Sequence, residues 1–259
     1  MASNRDHYYN KAKQEGYRSR AAYKLKQLDE AAGLFGPGNT VVDLGAAPGG
    51  WLEVAAEAVG DHGRVVGVDF QRIDEVDSHV VSTIRGDMTD DETKAAVREA
   101  IGEGGADVVL SDMAPNMTGE YNLDHARSVH LARQAFEVAL DVLDTGGDLA
   151  VKVFEGQDLD ALEADIEREF RYVRRIKPDA SRDSSSELYL VGKHHLTAPV
   201  RSGDEIDVEI VDVGSEGDGI AKVEDFTVFI PGAETGETHT VRITDVKPRF
   251  AFAEIVDED

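Results

Sequence analysis

The sequence contains no cysteine, which removes disulfides, thiolate metal sites and cysteine nucleophiles together. Its eight histidines are scattered, with His194-His195 the only adjacent pair and no His-Glu-x-x-His pattern, so no metal is expected. No run is long and apolar enough to span a bilayer, and the first residues are polar rather than a basic-then-apolar leader. A soluble cytoplasmic protein with no membrane partner is therefore expected. Positive charge is scarce too: 27 Lys and Arg stand against 52 Asp and Glu, for a net charge of −25. A chain this acidic repels nucleic acid at long range. It is not disordered in composition, because 41% of it is hydrophobic and the apolar residues recur periodically.

The acids lie on expected solvent faces, as in Asp158-Leu-Asp-Ala-Leu-Glu-Ala-Asp-Ile-Glu167, and only 10 of the 27 basic residues are lysine. This balance resembles that of proteins from extreme halophiles. At about 1 M salt the Debye length is roughly 3 Å, so like charges lose most of their reach. Two basic islands interrupt the acidity. Residues 1–26 carry seven cations against two acids, interleaved with Tyr8, Tyr9, Tyr17 and Tyr23; residues 171–193 carry six against three. Contact with RNA phosphates and bases is the simplest reason for them, and pairing with the acidic body is the other.

At 259 residues there is room for one large domain and a small module. After a basic arm and a helix near Ser19–Ala32, strands alternate with helices. Strands are expected near Thr40–Leu44, Arg64–Asp69, His79–Ile84, Asp107–Ser111, Asp148–Phe154, Arg171–Ile176 and Glu187–Val191. Helices are expected near Trp51–Val59, Asp90–Ile101, Leu123–Leu143 and Leu159–Glu169. The pattern implies an α/β fold, a seven-stranded mostly parallel sheet with an antiparallel pair at one edge. The character changes near residue 197. Short alternating runs at Glu205–Val211, Thr227–Ile230, Thr240–Ile243 and Ala251–Val256, with glycine-rich connections, predict a small OB-like all-β barrel of about five strands. The expected domains are 1–196 and 197–259.

The chemistry begins at Val41-Val-Asp-Leu-Gly-Ala-Ala-Pro-Gly-Gly-Trp51. It reads as a buried parallel strand, a turn through Gly45, Gly49 and Gly50, and a helix opening at Trp51. There is no P-loop lysine, and the glycine spacing is not the dinucleotide fingerprint. A loop without a phosphate signature suits a nucleoside cofactor without phosphates, which points to S-adenosyl-L-methionine. Asp69 ends the second strand, 24 residues after Gly45, where a carboxylate is placed to accept from ribose hydroxyls. Asp87 follows the third strand, and Asp112 ends the fourth in Ser111-Asp-Met-Ala-Pro-Asn116. Lys152 lies inside the apolar strand Gly147–Phe154. A buried ammonium is costly unless paired, so Lys152 reaches solvent at an edge or meets acids in a site. Asp112 and Glu187 are the acids available, and Lys24 can bring a second cation.

Five ordered segments, Tyr17–Leu25, Asp43–Trp51, Ser111–Asn116, Val151–Phe154 and Ser186–Tyr189, resemble those of the FtsJ/RrmJ (RlmE) ribosomal RNA 2′-O-methyltransferases across residues 5–193. The resemblance implies a Rossmann-like S-adenosylmethionine-dependent methyltransferase fold. It places the family's catalytic tetrad on Lys24, Asp112, Lys152 and Glu187, with Lys152 as general base. It puts cofactor contacts on Gly49, Trp51, Asp69, Asp87 and Asp112, with Gly45 and Gly50 in the same turn. The added segment, with Gly217–Val223, Phe229–Ala233 and Ala251–Ile255, resembles a TRAM domain, which implies RNA binding or a structural cap. The expected activity is 2′-O-methylation of a uridine in 23S ribosomal RNA of the large subunit, by a monomer. The alternatives are tRNA as acceptor and, in another class, a non-catalytic RNA-binding ribosome assembly factor. A small-molecule methyltransferase leaves the basic islands and the barrel without work.

Overall fold

The computed structural model describes residues 17–256 apart from 19, 182–184 and 215–216. The chain begins with α1 (Ala21–Ala32), β1 (Thr40–Leu44), α2 (Gly50–Val59), β2 (Arg64–Asp69), β3 (Val81–Arg85) and α3 (Asp91–Ile101). It continues through β4 (Ala106–Ser111), α4 (Tyr121–Val142), β5 (Leu143–Phe154), α5 (Leu159–Glu169), β6 (Phe170–Ile176) and β7 (Glu187–His195). The seven strands form one sheet in the order β3-β2-β1-β4-β5-β7-β6, parallel except that β7 runs antiparallel to both of its neighbours. The continuous apolar runs of β1, β2 and β4 are buried on both faces, as parallel strands covered by helices on each side must be. Core residues of α3, α4 and α5 cover one face; those of α1 and α2 cover the other. Strand order reverses between β1 and β4, and a cleft opens beyond the carboxyl ends of strands at such a switch point.

Most boundaries fall within a residue or two of expectation, and the departures have local causes. β5 starts at Leu143 rather than Asp148 because α4 passes into the sheet with no intervening loop, the pairing shifting register between Ala106 and Val108. β7 runs on to His195 because it lies between two strands and its Lys193 has an internal partner. Lys193 forms a buried ion pair with Asp148 on β5 and donates to the Gly33 carbonyl at 2.9 Å, so it latches the end of α1 onto the sheet.

Beyond the sheet, β8 (Glu205–Val213), β9 (Gly219–Val223), β10 (Phe226–Ile230), β11 (Thr238–Val246) and β12 (Phe250–Ile255) close a five-stranded barrel. β9 is the strand that the four alternating runs left out. Its start at Gly219 merges with the glycine-rich connection, and its inward side chains are small. Leu196, Ala198 and Val200 are buried in the barrel core. Arg201 pairs with Glu169 of α5 at 2.6 Å.

Candidate active site

The turn after β1 forms the floor of the site. Gly45 has φ +79°, and a Cβ there would stand 2.3 Å from the Met113 Cγ, so this close approach requires glycine. Asp69, at the end of β2, holds the turn: its Oδ2 accepts from the Ala47 amide at 3.0 Å and its Oδ1 from the Gln71 amide at 2.7 Å. Asp87 accepts from the Thr89 amide and hydroxyl at 2.9 and 2.7 Å. These bonds keep its carboxyl below the ordinary range. A cavity of about 450 Å³ opens here, with Gly45, Asp69, Asp87 and Asp112 in its wall. Its described lining has three carboxylates and no lysine or arginine. That chemistry suits a cationic ligand and rejects a phosphorylated one.

The second half of the site stands on the period-2 alternation of β5 and β7. Ala150 of β5 and Tyr189 and Val191 of β7 face the α1 side, so Lys152 and Glu187 share that side. Lys152 and Tyr189 are direct cross-strand partners. Lys24 comes down from α1 and pairs with Glu187 at 2.6 Å. Lys152 donates to the Asp112 carboxylate at 2.8 Å and to the Asp112 main-chain carbonyl. Lys24, Lys152 and Glu187 are all at most 9% exposed, so each charge depends on its partner. Burial works against ionisation of Asp112, but Lys152 and Lys24 outweigh it and hold its carboxyl below the usual range. Glu187 is likewise desolvated, and Lys24 keeps it below the usual range.

The structure thus brings Lys24, Asp112, Lys152 and Glu187 into one cluster, with Asp112 shared between it and the cavity. Gly49, Gly50 and Trp51 are not in the cavity wall. Gly49 is the residue before α2, at φ +113°. The Trp51 indole is buried against Tyr189, with ring centroids 5.9 Å apart, and donates to the Ala21 carbonyl at 2.8 Å. Its side chain is a strut between α2 and α1.

Two residues of the cluster escaped the sequence reading. Tyr189 donates to Asp112 Oδ1 at 2.6 Å, and burial with the charges of Asp112 and Glu187 pushes its hydroxyl pKa well up. A tyrosine in an apolar strand reads as core, and only the pairing with Lys152 marks it. Asp43 is 1% exposed, and its Oδ2 finds no hydrogen-bond partner among the described residues. Burial, then the nearby Asp112 and Asp69, push its carboxyl well up.

Several described residues of the basic islands have partners within the protein. Arg18 bonds to Glu53 and to the Pro48 and Glu75 carbonyls, Lys26 to Tyr17 and Glu57, and Arg175 to Glu163 and Asp160. Arg174 donates to the Ala31 carbonyl, Lys24 is spent on Glu187, and Lys193 on Asp148. Tyr23 is buried, and Tyr17 donates to Glu57 at 2.6 Å under the Lys26 ammonium. Except for Arg174, which bonds to a carbonyl, these cations pair with the acidic body, while Arg171 and Lys177 are exposed. Arg5, Lys11, Lys13, Arg182, Tyr8 and Tyr9 lie outside the described residues.

Comparison with known proteins agrees with this architecture. Residues 17–195 match the model of the FtsJ-like methyltransferases, and residues 199–256 match the TRAM domain. The chain is 64% identical to a ribosomal RNA large subunit methyltransferase E of Haloquadratum walsbyi, covering 98% of this chain and 99% of that one. It is 66% identical to the protein of the same name in Haloarcula marismortui, covering 98% and 100%. A crystal structure from Plasmodium falciparum, described as that of a ribosomal RNA methyltransferase, superposes with a TM-score of 0.63 at 28% identity, covering 69% of this chain and 98% of that one. The chain belongs to the FtsJ-like methyltransferase family and carries a TRAM domain after its seven-stranded sheet.

Proposed function

We propose that the protein transfers the methyl group of S-adenosyl-L-methionine to the ribose 2′-hydroxyl of a uridine in 23S ribosomal RNA of the large subunit. The observation that carries this reading is the buried Lys152 ammonium, held by Asp112 at the edge of an acidic cavity. The curated relatives are named as ribosomal RNA large subunit methyltransferases, which supports the choice of acceptor. We assign catalysis to residues 1–196 and a supporting RNA contact to 197–259.

The cavity fits the cofactor. Its three carboxylates match a ligand bearing a sulfonium and an ammonium, and the Gly45 turn leaves room where a side chain would collide. Asp69 and Asp87 would hold the nucleoside, the Gly45–Gly50 turn and the Trp51 main chain the amino-acid part, and Asp112 the reacting end. When bound, S-adenosylmethionine supplies an electrophilic methyl. The chain's own residues prepare the acceptor. Lys152 Nζ, in its neutral form, takes the proton of the 2′-hydroxyl, whose oxygen becomes the nucleophile. Asp112 aims Nζ through two bonds, and Tyr189 fixes the Asp112 carboxylate. The Lys24–Glu187 pair borders the place of the ribose, with Glu187 placed to accept from its hydroxyl and Lys24 to balance the charge.

The barrel offers a surface for RNA. Phe229, Phe250 and Phe252 cluster on the outer side of β10 and β12, with ring centroids 5.4 to 5.9 Å apart. Lys222 lies across Thr227 from Phe250, and Arg249 precedes Phe250. Aromatic faces beside cations suit unpaired bases.

The test is transfer of labelled methyl, in roughly molar KCl where surface charge is screened, to large subunits and to tRNA from cells lacking this gene. Nucleotide mapping then locates the product. Label on a ribose of the 23S RNA supports the reading. Label on tRNA alone moves the acceptor and keeps the chemistry, and label on neither favours an assembly factor.

A further inference from the structure

The acidic cavity takes up the ends of β1, β2 and β4, so an acceptor ribose reaches Lys152 from the other side, over the ends of β5 and β7. One side chain ties that rim together. Tyr121, the first residue of α4, donates its hydroxyl to the Glu155 carbonyl at 2.6 Å, and the Glu155 amide donates to the Ser186 carbonyl at 2.8 Å. Glu155 follows β5, which carries Lys152, and Ser186 precedes Glu187. The loop leading into α4 starts at Asp112. A single bonded path therefore links three of the four segments that supply the cluster, Lys24 coming separately from α1.

The base of this path is held by hydrogen bonds from buried side chains. Asp124, 3% exposed, accepts from the Thr118 amide and hydroxyl and from the Gly119 amide at 2.8 to 3.0 Å. His125, 4% exposed, bonds to the Phe154 carbonyl at 3.0 Å through Nδ1 and accepts from the Asp158 amide at 3.1 Å. Gly156 leaves the room this imidazole needs, since a Cβ there would stand 2.3 Å from it. Above that base Tyr121 is 59% exposed, and Met117, four residues earlier, is 64% exposed. The hydroxyl is pinned while much of the side chain stays exposed to solvent. A fixed aromatic face loses little freedom when something stacks on it.

We propose that Tyr121 is a stacking platform for a nucleobase of the RNA, next to the ribose that Lys152 deprotonates. The inference rests on the RNA 2′-O-methylation reading above. The neighbouring Glu120 and Glu155 side chains are exposed acids, which repel a phosphate and leave the neutral face of a base as the complement of the ring. High salt, suited to a chain of net charge −25, weakens phosphate contacts steeply and leaves stacking.

The experiment uses the full chain, S-adenosylmethionine and the RNA that accepts methyl from the wild type, with Tyr121→Ala, Tyr121→Phe and Tyr121→Trp. Stacking on one base predicts that Tyr121→Ala lowers kcat/KM for RNA about 5- to 150-fold. Phe and Trp, which keep a ring, stay within about threefold of wild type. S-adenosylmethionine affinity stays at the wild-type value for Phe, and the one lost hydroxyl bond lowers the melting midpoint by no more than a few degrees. An Ala variant as active as wild type overturns the proposal while leaving the methyltransferase reading intact. A Phe variant as impaired as Ala overturns it too, by showing that the hydroxyl bond to Glu155 is what matters. A wild-type protein that methylates no RNA overturns both.

Discussion

Lys152 is aimed by one residue, Asp112, which offers both its carboxylate and its main-chain carbonyl. Lys152→Ala is expected to lower methyl transfer about 10²- to 10⁴-fold, the usual weight of a general base, while S-adenosylmethionine still binds. Full activity in that variant would remove Lys152 from the mechanism. The carboxylates also make the fold pH-dependent. Asp112 and Glu187 ionise more readily in the native state, so the stability they add above about pH 4 is lost as pH falls through their lowered pKa values. Asp43 has the opposite sign. Burial raises its pKa, so the native state binds its proton more tightly and stability falls as pH rises from about 4 toward that raised value. Asp43→Asn removes this slope, and its melting midpoint should exceed the wild type at pH 7 and approach it near pH 4. Equal midpoints throughout would show that Asp43 contributes no strain. Lys152 was legible as a charge in an apolar strand; Asp43 and Tyr189 were not, since a carboxylate ahead of a glycine turn and a tyrosine among valines look ordinary.

At the scale of elements, the turn after β1 and the strand β7 carry the site. Gly45→Ala meets both a left-handed φ and the Met113 side chain, so a cost of about 1–3 kcal/mol is expected from the backbone alone. A titration with S-adenosylmethionine should show weaker binding, and an unchanged affinity would take the turn out of cofactor recognition. β7 works at both ends, with Glu187 in the cluster and Lys193 in the buried latch to Asp148. Lys193→Ala leaves Asp148 buried without its cation, at a cost of about 3–5 kcal/mol in a denaturant melt. Lys193→Met combined with Asp148→Leu should recover most of that loss. If the double variant is as unstable as the single one, the latch does more than neutralise Asp148. The strands were readable from their apolar runs. Which side of the sheet Lys152 faced was not, because alternation fixes parity along a strand but not which helix covers each side.

For the whole molecule, charge and salt dominate. The buried pairs Lys24–Glu187, Lys152–Asp112 and Lys193–Asp148 are shielded from solvent, whereas Arg242 with Glu205 and Glu254 is about half exposed. Salt weakens the second kind far more than the first. At a net charge of −25, self-repulsion is expected to outweigh the small return from exposed pairs. The melting midpoint is therefore expected to climb as KCl rises from about 0.1 M to 1 M, where the screening length shrinks from about 10 Å to about 3 Å. A level or falling midpoint would mean that surface pairs matter more than net charge. For the described residues of the basic islands, a cation count along the chain did not show which acids fold beside them.

Composition and local pattern were enough for much of this protein. Strand–helix alternation implied the parallel sheet, the change near residue 197 implied a second unit, and glycine spacing excluded a phosphate loop, because each depends on neighbours within a few residues. The tertiary structure alone decided that β1 and β4 flank the switch point, that Lys24 pairs with Glu187 while Lys152 pairs with Asp112, and that Tyr121 bonds to Glu155. It also turned the Trp51 side chain into a strut and gave several described island cations acidic partners. Those outcomes depend on which distant residues share a face, and the energy of a buried charge is set by partners that only folding brings within reach.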